Sequence, residues 1–101
     1  MRNAEIVYQG RDNHIELELL ENNVEITDYV PITRIKLTVG ADTIDSDSNP
    51  ELFDWTGGKV VIKAGLAGLS TGRFKARLET WDPDNTNGVV WTDELLIHVK
   101  A

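Results

Sequence analysis

Two segments of the chain space side-chain oxygens two residues apart, Asp45-Ser46-Asp47-Ser48-Asn49-Pro50-Glu51 and Asp82-Pro83-Asp84-Asn85-Thr86-Asn87-Gly88. In a calcium loop that spacing lets alternate residues converge on one hard cation. Asp45, Asp47, Asp82 and Asp84 are therefore the weak candidate metal ligands. Both segments depart from the EF-hand pattern, with Pro50 and Asn87 where the sharp turn wants glycine and no glutamate at the twelfth position. Asp, Asn, Ser and Pro are also the residues that turns select, because short polar side chains bond the nearby backbone. An ordinary turn, with no resident metal, is the leading expectation for each.

Nucleophilic and acid–base chemistry finds little to work with. His14 and His98 both occupy outward positions of strands, and no Gly-x-Ser-x-Gly elbow accompanies them. Ser46, Ser48 and Ser70 fall in turn-forming segments. Ala64-Gly65-Leu66-Ala67-Gly68-Leu69 lacks the lysine and the strand-to-helix context of a phosphate-cradling loop. The chain has no cysteine, which removes thiolate nucleophiles, disulfides, iron–sulfur clusters and Cys-bearing zinc sites. No reaction-class arrangement can be assembled, so the expectation is a protein without catalysis and without a cofactor.

The aromatic and basic residues offer more. Trp81 continues the charged side of its strand by parity, with Arg77 and Glu79 rather than Phe74 and Leu78. Trp55 and Trp91 lie near the two turn-rich segments. They either cover edges of the core or join Trp81 in a surface patch suited to an interface or ligand platform. Arg73, Lys75 and Arg77 on one strand, and Arg34 and Lys36 on another, form basic stripes, while Glu16 and Glu18 form an acidic one. Cross-strand pairing on a solvated sheet is one expectation for these charges. Complementary faces of neighbouring copies is the other.

These residues need strands to place them, and alternation dominates the sequence. Ile15, Leu17 and Leu19 share one side of a period-two run from His14; Ile35, Leu37 and Val39 do so from Thr33. Val60 and Ile62, then Phe74, Ala76 and Leu78, then Leu95, Ile97 and Val99 repeat the pattern. Weaker strands are expected at Ile6 to Tyr8, Val24 to Thr27, Thr43 to Asp45 and Val89 to Thr92. Turns are expected at Glu21-Asn22-Asn23, Gly57-Gly58 and Asn87-Gly88, with Pro31 and Pro50 in connections. Asn49-Pro50-Glu51-Leu52-Phe53 reads as one helical turn capped by Asn49. Short strands without crossover helices predict an all-β fold, an antiparallel Ig-like β-sandwich of about seven to nine strands forming one domain over residues 1–101. A small closed barrel is the alternative.

Ten Lys and Arg against seventeen Asp and Glu leave a formal charge of -7 over 101 residues. That balance argues against nucleic acid and against anionic membrane surfaces. No run is long enough for a transmembrane helix, and Met1 to Ile6 lacks the apolar stretch of a secretion signal, so the cytoplasm is the expected site of synthesis and folding.

From Asp28 onward the features fall in a recognisable order. Phe53-Asp54-Trp55 and Val60-Val61-Ile62 follow the Thr33 to Leu37 strand. Leu69-Ser70-Thr71-Gly72-Arg73-Phe74-Lys75-Ala76-Arg77-Leu78, Trp81-Asp82-Pro83, Asn87-Gly88-Val89-Val90-Trp91 and the closing Leu95 to Val99 strand come after. This order resembles the small Ig-like β-sandwich domains of tailed bacteriophages and prophages, found in tail, baseplate and neck proteins. The Gly72-x-Phe74-x-Ala76-x-Leu78 run is similar to the penultimate strand of many Ig-like folds. The resemblance implies a virion structural or adaptor protein acting through protein contacts, as a homo-oligomer meeting identical copies and neighbouring virion proteins. It implies a location in the virion, or in the host cytoplasm before assembly. The other expectation is a carbohydrate-binding module in which Trp55, Trp81 and Trp91 stack on sugar rings.

Overall fold

A computed structural model describes residues 4–21, 24–25, 32–56 and 59–101. Ten strands occur among them: β1 (Glu5–Tyr8), β2 (Ile15–Leu17), β3 (Leu20–Glu21), β4 (Val24–Glu25), β5 (Arg34–Val39), β6 (Asp42–Asp45), β7 (Phe53–Asp54), β8 (Val60–Ile62), β9 (Gly72–Asp82) and β10 (Asn85–Lys100). The fold is all-β, and the described residues include no α-helix. Five strands form one sheet in the order β1-β10-β9-β5-β6. Three form a second in the order β2-β8-β7, and β3 and β4 pair as a separate ribbon.

Alternation explains which side of each strand is buried. On β5, Ile35, Leu37 and Val39 are fully buried while Arg34, Lys36 and Thr38 between them are not. Val7, Ile44, Ala76, Leu78, Leu95, Ile97 and Val99 add to the inner side of the five-stranded sheet. Ile15, Leu17, Phe53, Val60 and Ile62 come from the three-stranded one, and all belong to a single core cluster. Each large aliphatic side chain withdrawn from water contributes about 1.5–3 kcal/mol, which makes this shared core the main force holding the two sheets together.

One edge departs from the expected antiparallel order. β1 runs parallel to β10, with Glu5 opposite Ile97 and Tyr8 opposite Lys100, so the larger sheet is mixed. The pattern in Ile6-Val7-Tyr8 selects a buried side but carries no information on direction, and strand direction depends on partners far along the chain. The remaining ladders are antiparallel, including β5 with β9 and with β6.

The connections refine several expectations. Gly40 turns β5 into β6 with φ 60°, and a Cβ there would sit 2.7 Å from the Phe74 ring, so glycine is needed for both conformation and space. A 3₁₀ turn forms over Pro50–Leu52, as the proline placement suggested, but the Asn49 side chain makes no capping bond. Instead the Asn49 carbonyl accepts the Leu52 N–H at 3.1 Å. A second 3₁₀ turn, Ala64–Leu66, occupies the Ala/Gly/Leu segment. The Asn87-Gly88 pair is not the reverse turn. Pro83 and Asp84 turn the chain, and Gly88 lies inside β10 with φ 88° at an irregularity in the β9–β10 register. The Glu21 to Val24 pairing agrees with a hairpin there, while Asn22-Asn23, Pro31 and Gly57-Gly58 lie outside the described residues.

Candidate functional site

The outer side of the five-stranded sheet collects most of the residues singled out above. β9 presents Arg73, Lys75, Arg77, Glu79 and Trp81, because Ala76, Leu78 and Thr80 between them point into the core. β5 adds Arg34 and Lys36, β6 adds Asp45, and β10 adds Leu96, His98 and Lys100. Six of the ten Lys and Arg residues thus share one face of a chain whose formal charge is -7. Among the described residues, Asp45 and Glu79 are the acids on this face, with Asp47 beside Arg34 and Glu94 at its margins.

At the β5–β6 end the charges are compensated. The Arg34 guanidinium lies 4.4 Å from the centroid of the Trp81 ring. Its Nε donates to Asp45 Oδ1 at 3.0 Å, its Nη2 donates to Asp45 Oδ2, and Asp47 Oδ2 is 3.4 Å from Nε. The Arg34 bond holds the Asp45 carboxyl below the usual carboxylate range, against the opposing effect of partial burial, and the same bond raises the Arg34 pKa. Trp81 is held from another side by β10, since a Cβ on Gly88 would come within 2.8 Å of its indole. Trp81 therefore sits on the outer face but half-covered, clamped between an arginine and a glycine.

At the β1–β10 end the charges are not compensated. In register, Arg73 faces His98 and Lys75 faces Leu96 on β10, while Arg77 faces Thr38 on β5 and the irregular Asp93-Glu94 stretch on its β10 side. Among the described residues none of them has an acidic group within ion-pair distance. The His98 pKa is lowered, first by loss of solvent around the ring and then by Arg73 and Lys100. Beside these cations stand exposed apolar side chains, Ile6 at 49%, Tyr8 at 41% and Leu96 at 41%. Lys100 Nζ lies 6.0 Å from the Tyr8 ring centroid. A shallow hollow of about 330 Å³ lies among Ile6, Arg73, Lys75, Leu96 and His98.

The other candidates are placed elsewhere. Trp55 and Trp91 are half-buried and pack against the core, and Trp91 Nε1 donates to Thr80 Oγ1 at 2.8 Å. The three indoles do not share one open platform. Asp82 Oδ1 accepts the N–H groups of Asp84 and Asn85 at 2.9 and 3.0 Å, which ties off the β9–β10 turn. Asp45 Oδ1 accepts the Asp47 N–H at 3.0 Å besides its bonds to Arg34. Both acidic loops thus spend carboxylate oxygens on their own backbone, and the described residues hold no group of three His, Asp or Glu side chains positioned for a metal. Ser46 Oγ accepts the Ile35 N–H at 2.9 Å, a structural bond for a buried hydroxyl.

The outer side of the three-stranded sheet has the opposite character. Glu16 is exposed and lies 3.3 Å from His14 and 3.9 Å from Lys59. Glu18, Glu51 and Asp54 are exposed nearby in sequence or on β7, with Lys63 as a further cation. A second hollow of about 230 Å³ is lined by Glu51, Leu52, Phe53, Asp54, Val61 and Lys63. The Asp54 carboxyl is lowered by the N–H and hydroxyl of Thr56.

Sequence reasoning identified Arg73, Lys75 and Arg77 but missed Ile6, Tyr8, Leu96 and Lys100 as their neighbours. The signal for Leu96 was present, because an apolar residue between Leu95 and Ile97 must point outward in a strand. That β1 adjoins β10 was not readable from local pattern. Compared with family models, with curated proteins and with solved structures, the chain finds no match in any of the three.

Proposed function

We propose that the chain is an Ig-like β-sandwich that works by protein–protein contact through the outer face of its five-stranded sheet, as a structural or adaptor component of a phage or prophage virion. One observation carries the contact reading: uncompensated Arg73, Lys75 and Arg77 flank exposed Ile6, Tyr8 and Leu96 on a single sheet face. A cluster of exposed apolar groups rimmed by charged side chains is a usual feature of an interface.

The Ig-like reading draws support from strand order. β2-β8-β7 corresponds to the B-E-D sheet, and β10-β9-β5-β6 to G-F-C-C′, with β1 added beside β10. In that lettering β9 is the penultimate strand, which carries the Gly72-x-Phe74-x-Ala76-x-Leu78 run. The virion assignment rests on the resemblance of that run and its neighbours to phage domains. Identical copies and neighbouring virion proteins are the partners it implies. The glycan-binding reading has less behind it, since Arg34 already lies over Trp81 and the other two indoles pack against the core.

Peptide mass spectrometry of purified particles from the source lysogen or lysate tests the proposal. The chain is expected at a fixed stoichiometry relative to the major particle proteins. Its absence from particles while it is abundant in the lysate would overturn the virion assignment.

A further inference from the structure

We infer that the outer face of the five-stranded sheet binds a second copy of the same chain, head to tail, against the acidic outer face of that copy's three-stranded sheet. The inference rests on the contact-face reading above and names the occupant. Charge separation carries it. The outer face of the five-stranded sheet carries six cations with four acids on it or at its margins, whereas around the outer face of the three-stranded sheet Glu16, Glu18, Glu51 and Asp54 stand with only Lys59 and Lys63 as cations. The surface that matches the cationic face in charge is thus the outer face of the three-stranded sheet of another copy.

Symmetry then narrows the geometry. A two-fold contact would set the Arg73, Lys75 and Arg77 row of one copy against the same net-positive face of the other, and like charges brought together cost several kcal/mol. A head-to-tail contact has no such conflict. The two outer faces point away from one shared core, so every copy offers one of each. Their chemistry is also complementary. Ile6, Tyr8 and Leu96 stand beside cations on one face. The hollow on the other has Phe53 and Val61 in its lining, with Glu51 and Asp54 against the single cation Lys63. A contact that joins unlike faces propagates, closing into a ring or continuing as a filament.

Sedimentation velocity on the full chain tests this, with two exposed charge-reversal pairs, Arg73→Glu with Lys75→Glu, and Glu16→Lys with Glu51→Lys. The wild-type chain should sediment faster as concentration rises at 0.05 M NaCl. Its dissociation constant should weaken at least about tenfold by 0.5 M, because screening shortens the reach of the charges. Each double variant alone should remain a monomer. Mixed in equal amounts they should associate again, since the intact face of each meets its complement on the other and the two reversed faces are complementary to each other as well. A wild-type chain that stays monomeric at every concentration overturns the inference. So does association lost in the basic-face variant but untouched in the acidic-face one, or a mixture that fails to associate. Presence of the chain in particles is measured separately, so failure of self-association and failure of the virion reading are distinguishable.

Discussion

Replacing Arg34 with methionine should destabilise the domain by about 1.5 kcal/mol at pH 7, with most of that loss disappearing in acid. Methionine keeps an apolar stem against Trp81 while removing the guanidinium. Three contributions are lost: the two-pronged bond to Asp45, the weaker pairing with Asp47 and the cation held over the indole. A hydrogen bond to a charged group contributes about 1.5–3 kcal/mol, and an exposed ion pair or cation–π contact about 0–1 kcal/mol. The Arg34 side chain is 34% exposed, whereas that of Asp45 is 16% exposed, so solvent screening pulls the total toward the lower end. For a domain of this size that corresponds to a fall in Tm of roughly 6–12 °C. Asp45 supplies the pH signature. Its folded pKa lies below the unfolded value of 3.8, so its stabilisation is present above that value and is lost as pH falls through the folded pKa. Urea unfolding followed by tryptophan fluorescence, on wild type and variant from pH 7 down to pH 2, measures the gap directly. A gap below about 0.3 kcal/mol at pH 7, or one that keeps its size down to pH 2, would refute the reasoning.

Three further outcomes follow from the geometry. Trp91→Phe should cost about 1–3 kcal/mol because it strands the buried Thr80 hydroxyl, and adding Thr80→Val should recover part of the loss in a double-mutant cycle by denaturant unfolding. Gly88→Ala should destabilise by about 1–3 kcal/mol and alter Trp81 emission, because the new methyl must fit a φ of 88° and a 2.8 Å approach to the indole; an unchanged melting curve and spectrum would contradict the clamp. Millimolar calcium or a chelator should leave the melting temperature unchanged, given that Asp45 and Asp82 are committed to their own turns, and a rise with calcium would reinstate a metal role for the acidic loops.

Much of the fold was legible because alternation reports burial directly. Ile35, Leu37 and Val39 were assigned inward from their spacing alone, and so were Phe74, Ala76 and Leu78, although Phe74 is only half-buried. Strand direction and neighbour relations were not legible. Nothing in Glu5-Ile6-Val7-Tyr8 says that its partner is the last strand or that the two run parallel, since that pairing is decided by the closure of the whole sheet. The Asn87-Gly88 pair illustrates a competing demand on one residue type. Asn-Gly favours hairpin turns, but here glycine serves a register irregularity and a close approach to Trp81, and Asp82 organises the turn through its side chain instead. At the candidate face, the basic stripe was visible strand by strand. Its division into a compensated half at Arg34 and an uncompensated half at Arg73 to Arg77 depended on the register of β9 against β5 and β10.

The claim that the outer face of the five-stranded sheet is the working surface is tested most directly by hydroxyl-radical footprinting read by peptide mass spectrometry. The chain is labelled dilute in 0.5 M salt and again concentrated at low salt. Tyr8 and Leu96 should be labelled several-fold less in the concentrated sample, while Leu66, 46% exposed on the Ala64–Leu66 turn, keeps its reactivity. Equal labelling of Tyr8 and Leu96 in both samples, or protection at Leu66 instead, would contradict the account.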